Sequence, residues 1–152
     1  MKKVILSLLA VLLAVFLHSC QDSLYYTSYQ DLPQSRWDNN DTISFSIPPT
    51  ETDLDVALTL GIRSTHDYQY SDLVARIEVL CDGTPLSSVP LTINLYADGQ
   101  HSDGLTRLID ESYSRPQALH SQANHQYAVL ITHLMSLNPI PGISSLGIIV
   151  EK

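Results

Sequence analysis

Leu73 to Tyr96 reads LVARIEVLCDGTPLSSVPLTINLY, and the fold class follows from this stretch. Leu73, Ala75, Ile77, Val79 and Cys81 share one parity, and Arg76 and Glu78 fall on the other. A period of two is the spacing of a strand with one face against a core. Asp82-Gly83-Thr84-Pro85 follows, and Asp-Gly supplies the positive φ angles of a tight hairpin turn. Val89 to Tyr96 is then the return strand, with Val89, Leu91, Ile93 and Leu95 on one face.

The same period recurs on both sides. Thr42–Ile47 places Ile43, Phe45 and Ile47 on one face, and Pro48-Pro49 stops it. Asp55–Arg63 points Val56, Leu58, Leu60 and Ile62 inward, with Ala57, Thr59, Gly61 and Arg63 outward. His66 to Tyr70 is a polar, aromatic link. Ala97 to Gly104 reads as a loop, and Leu105 to Tyr113 as two helical turns ended by Pro116. Gln126–Met135 returns to strand with Tyr127, Val129 and Ile131 on one face. A Pro/Gly turn over Asn138–Ser145 precedes a closing strand, Leu146–Val150. Short strands separated by turns predict an all-β chain: a single antiparallel β-sandwich over residues 36–152, of about six to eight strands with at most one short helix.

The N-terminus is of another kind. Lys2 and Lys3 precede Val4–Leu17, VILSLLAVLLAVFL. A membrane-spanning helix needs roughly 20 apolar residues, so this run has the length of a signal peptide instead. Leu17-His18-Ser19-Cys20 has the form of a bacterial lipoprotein signal, with a Leu three residues before the Cys and a small residue immediately before it. On that reading residues 1–19 are removed, and Cys20 becomes the lipidated N-terminus carrying a thioether-linked diacylglycerol. The alternative is an ordinary signal peptide or uncleaved anchor with an incidental Cys. Residues 20–35 read as a flexible tether; the alternative for Tyr25, Tyr26 and Tyr29 is packing on the domain edge.

Charge and cysteine content narrow the chemistry. Removing Lys2 and Lys3 leaves six cations against sixteen acids, a charge of −10 on 133 residues. Such a surface opposes nucleic acid and anionic lipid alike, so attachment to a membrane falls to the lipid. With the Cys20 sulfur acylated, Cys81 has no intrachain partner, and its apolar parity predicts a small buried hydrophobe. No catalytic residue, cofactor or metal is expected. His125 and His133 share a parity, but eight residues of strand separate them by roughly 26 Å. His101 with Asp98 and Asp103, and His66 with Asp67, read as solvated loop groups. The acid pairs Asp110-Glu111 and Asp53 with Asp55 are of the kind that an acidic surface supplies by chance. Tyr68, Tyr70, Tyr96 and Tyr113 fall in or beside links, where ligand-contacting residues often sit.

Four stretches in order, Cys20, WDNNDTISFSI (37–47), LTLGIRSTHDYQYSDL (58–73) and YAVLITHLMSLNPIPGISSLGIIVEK (127–152), resemble the GldH-like gliding-motility lipoproteins of Bacteroidetes-type bacteria. The resemblance implies a non-enzymatic outer-membrane lipoprotein of the cell envelope, facing the periplasm. It implies a membrane partner through the lipid anchor, and other envelope proteins of the gliding and type IX secretion apparatus as partners in a scaffold or assembly role. The rival expectation, from the link tyrosines, is a lipid-anchored glycan- or peptide-binding module.

Overall fold

The computed structural model describes residues 23–95 and 110–152. Eleven strands lie among them: β1 (Leu24–Asp31), β2 (Arg36–Trp37), β3 (Ile43–Ile47), β4 (Leu54–Ser64), β5 (Asp72–Cys81), β6 (Thr84–Asn94), β7 (Asp110–Tyr113), β8 (Gln117–Ser121), β9 (Tyr127–His133), β10 (Ile140–Pro141) and β11 (Ile143–Glu151). A single 3-10 turn, Pro33–Ser35, is the helical element among the described residues. Every pairing is antiparallel. One sheet runs β1-β11-β4, with β7 and β8 sharing the far side of β4. The other runs β3-β9-β5-β6, and β2 pairs β10 as a small third piece.

The two sheets bury facing apolar sets. Val56, Leu58, Leu60, Ile62, Leu146, Ile148 and Val150 come from the first, and Ile43, Phe45, Leu73, Ala75, Ile77, Val129 and Ile131 from the second. The alternation read from the sequence therefore places the core correctly in β3, β4, β5 and β9. The all-β antiparallel class is as expected. The strand count exceeds the six to eight expected for two reasons. Short β2 and β10 carry too few residues to show a period. Pro116 divides the partner of β4 into β7 and β8, because it has no N–H to continue the ladder. Ser114 bridges that joint: its N–H donates to the Leu60 carbonyl at 2.8 Å, and its hydroxyl accepts the Leu60 N–H at 2.9 Å.

The hairpin forms as the sequence predicts. Cys81 pairs with Thr84, and Asp82 and Gly83 hold the turn with φ of 48° and 80°. The return strand is less buried than its alternation implies. Ile93 and Leu95 are enclosed, but Val89 is 40 % exposed. β6 is an edge strand, and the two sheets part beside it, leaving a recess of about 150 Å³ lined by Leu58, Ile77, Val79, Val89, Leu91 and Leu119 among others. Pro85 and Pro90 remove two N–H groups from this edge, which blunts its capacity to recruit a foreign strand.

Two expectations require correction. Within the stretch 20–35 expected as a tether, Leu24–Asp31 is instead strand β1 along β11, and the Ser23 carbonyl accepts the Lys152 N–H at 2.7 Å. Of the two helical turns expected over 105–113, Asp110–Tyr113 is strand β7, because β4 offers it an open edge. The rest of that stretch, the expected signal segment 1–19 and Cys20 lie outside the described residues.

Trp37, fully buried, closes the sandwich end formed by β2 and β10. Its indole N–H donates to the Asp41 carbonyl at 2.9 Å, and its ring meets His133 edge-on at 5.1 Å. Burial lowers the His133 pKa, so the ring is neutral and packs as a core group. Replacing Trp37 with Ala removes this plug. The expected loss is about 3–5 kcal/mol of unfolding free energy, read from urea denaturation.

Candidate functional site

The outer face of the five-stranded sheet carries a cluster of aromatic and charged side chains. Register places Tyr29 (β1), Gly147 (β11), Gly61 (β4) and Tyr113 (β7) in one row across four strands. The two glycines leave a trough on the sheet, and the Tyr29 ring lies along it. A Cβ at Gly147 would strike the Tyr29 ring, and one at Gly61 would strike its hydroxyl. Glycine inside a strand is required here by close approach of a side chain.

Arg63 and Glu111 form the next row on the same face, since each lies two residues from the first. The Arg63 guanidinium sits over the Tyr29 ring, 4.1 Å from its centroid, and its Nε donates to Glu111 Oε1 at 3.0 Å. Burial, reinforced by Tyr113 and Glu111, pushes the Tyr29 phenol from its ordinary 10 up to about 12; Arg63 opposes this. Burial pushes the Glu111 carboxyl up, but hydrogen bonds from Arg63 and Tyr113 outweigh it, and its pKa is lowered. At neutral pH the cluster therefore holds two neutral phenols and one ion pair. It contains no base poised near pH 7 and no activated nucleophile. It is an ordered aromatic and charged patch, with Tyr113 half exposed at its rim.

The residues singled out from the sequence are mostly dispersed. Tyr68 is buried, and its hydroxyl donates to the Asp72 carbonyl at 2.7 Å; Tyr70 packs edge-on against it at 5.6 Å. Tyr96, Asp98, His101 and Asp103 lie outside the described residues. His66 and Asp67 face solvent, 3.4 Å apart. Asp53 accepts the Ala123 N–H at 2.9 Å, while Asp55 pairs with His120 at 2.7 Å, so these acids serve separate turns. His133 ends β9 in the core, but His125 precedes that strand and turns to Asp82 instead. Cys81 is only partly buried, not the enclosed hydrophobe its parity implies, because it ends β5 at the rim of the sheet.

Sequence reading missed the Tyr29–Gly147–Gly61–Tyr113 row. The available signal was the pair of isolated glycines within strand patterns, which marks close approach. The partners lie too far apart in the chain for any local pattern to join them.

The raised Tyr29 pKa has a definite pH consequence. The folded state holds the phenolic proton to about 12, whereas an unfolded chain releases it near 10. Stability is thus unaffected by this group below pH 10 and falls as pH rises from 10 toward 12. Urea denaturation across that range is expected to show the decline, and Tyr29→Phe to flatten it. Gly147→Val is expected to lower the midpoint at every pH, since the added side chain displaces the Tyr29 ring.

No curated protein matches the chain by sequence. Solved structures similar to it include a family GH115 4-O-methyl-alpha-glucuronidase with specificity for decorated arabinogalactans, at 14 % identity and a TM-score of 0.46, covering 86 % of this chain and 16 % of that one. Dimeric latent PorU from Porphyromonas gingivalis is similar at 8 % identity and a TM-score of 0.37, covering 89 % and 13 %. A family 35 carbohydrate binding module from Clostridium thermocellum is similar at 12 % identity and 0.36, covering 80 % and 97 %. This chain thus spans under a fifth of the first two proteins, and at these scores no activity or ligand passes from any of the three to it. The family model for the GldH lipoprotein matches residues 24–150, from the first residue of β1 to the penultimate residue of β11, and the chain belongs to the GldH lipoprotein family.

Proposed function

We propose that this protein is a non-enzymatic scaffold or assembly factor of the gliding-motility and type IX secretion apparatus, held at the outer membrane by acyl chains on Cys20 and facing the periplasm. The observation that carries the reading is the closeness of the fold to the lipoprotein signal, in a chain of the GldH lipoprotein family. Ser23, whose carbonyl is already bonded to the Lys152 N–H, lies three residues after Cys20, a reach of at most about 11 Å. A domain on so short a leash cannot range through the periplasm. It stays at the leaflet with one end turned toward it, the end where β1 starts and β11 finishes. The opposite end and the outer sheet faces are left for partner proteins.

The rival glycan-binding reading rested on link tyrosines, and Tyr68, the first of them, is buried with its hydroxyl engaged. The Tyr29–Arg63–Glu111–Tyr113 patch is the surface best suited to a protein partner. It is broad, ordered and aromatic, and its arginine and tyrosines are residue types enriched at interfaces.

Two experiments test the proposal. Cys20→Ala is expected to abolish fatty-acid labelling and to release the domain from membranes; labelled, membrane-bound Cys20→Ala protein would overturn the anchor. Deleting the gene is expected to impair secretion of type IX cargo, and surface spreading where the organism glides. Normal secretion and spreading in the deletion strain would overturn the assembly role and leave the anchor standing.

A further inference from the structure

The β5–β6 hairpin and the turn between β8 and β9 meet at one rim of the four-stranded sheet. Register sets Cys81 opposite Tyr127, which brings the preceding His125 over the hairpin turn. The donor atoms of Cys81, Asp82 and His125 all lie within 4.8 Å of one another. We propose that these three side chains form a metal site for a borderline divalent ion, Zn²⁺ by its donor set of one sulfur, one oxygen and one nitrogen.

The local structure prepares the ligands. Asp82 sits in the left-handed region at φ 48°, as the hairpin turn demands, and its N–H donates to the Gln126 carbonyl at 2.8 Å. One carboxylate oxygen, Oδ1, accepts the Gln126 N–H at 2.9 Å. The other, Oδ2, is thereby aimed at the His125 ring, with Nδ1 at 2.6 Å. Orientation of a ligating carboxylate by a backbone N–H is the outer-shell support that metal sites use. Cys81 is a free thiol and only partly buried, so an ion can reach it from solvent.

The distances suit the exchange of protons for a metal. Bonds of about 2.3 Å to sulfur and 2.0–2.2 Å to nitrogen and oxygen place tetrahedral ligands about 3.3–3.6 Å apart. The present spread, from 2.6 Å to at most 4.8 Å, brackets that separation. Side-chain rotation at a solvent-facing rim closes the difference. Binding releases the Cys81 thiol proton, and the hydrogen bond between His125 and Asp82 gives way to coordination. Thiolate and carboxylate together neutralise the two charges of the ion, and water takes the fourth position, as in sites with three protein ligands.

The test uses the full-length chain in detergent, titrated with Co²⁺ as a spectroscopic stand-in and then with Zn²⁺ in competition. One equivalent of Co²⁺ is expected to give a thiolate-to-cobalt charge-transfer band that Zn²⁺ abolishes. Cys81→Ser, made in a Cys20→Ala background so that Cys81 is the one thiol of the chain, is expected to remove the band. His125→Ala and Asp82→Asn are each expected to weaken binding by more than about 10-fold, the loss seen when even an outer-shell partner is removed. Asn tolerates the left-handed turn position, so Asp82→Asn keeps the hairpin and isolates the charge. A wild-type chain without the band, a band that survives Cys81→Ser, or affinity unchanged in both His125→Ala and Asp82→Asn would overturn the proposal.

Discussion

The structure depends on the insertion of β11 between β1 and β4. No two neighbours in the five-stranded sheet follow one another in sequence. Its central ladder joins the last strand of the chain to the first, and both to one near residue 60. Leu146, Ile148 and Val150 carry the core face of that strand, and all three are essentially free of solvent. Among the described residues, until β11 docks β1 has no ladder partner, and β4 has only its two short ones, β7 and β8. Pairings this distant must bear the entropy of closing large loops before they return any burial, which places the fold among the slower topologies. The β5–β6 hairpin is the local pairing among the described residues, and the natural place for order to begin.

What could be read in advance divides along the same line. Strands β3, β4, β5 and β9 announce themselves because each has one face in the core, and burial on one face writes a period of two. The Asp82-Gly83 turn is equally local, since its two positive φ angles constrain the residues that occupy them. β1 left no such mark. Its exposure runs through Tyr25, Tyr26 and Tyr29 without alternation, because a bulge near Tyr25 shifts its register and Tyr29 lies over the outer face. β7 was illegible for another reason. LTRLIDESY supports helical spacing on its own, and the open edge of β4 overrides that preference from outside the segment.

The candidate sites show the same limit more sharply. Cys20 is visible because a signal is read as linear sequence. The aromatic patch joins residues of four strands, and its sequence trace is two glycines whose purpose appears only when Tyr29 lies over them. Asp82 and His125 stand 43 residues apart. Sequence parity paired His125 with His133 along one strand, whereas the chain turns before that strand begins and gives His125 to the hairpin instead. The roles of Gly61 and His125 belong to the register between strands, which single-strand periodicity does not encode.

β1 carries one further consequence. A chain held by acyl groups at Cys20 transmits any mechanical load into the start of β1 and from there into β11. Ladder bonds in an antiparallel pair run perpendicular to the strands. Tension along β1 therefore loads its seven register pairs in shear, together, instead of peeling them one after another. Tyr29, clamped over Gly147 and Gly61 by Arg63, adds a sideways key against sliding of the strand. With the proposed anchor at Cys20, the N-terminal strand would serve as a tension-bearing splice between the membrane and the domain.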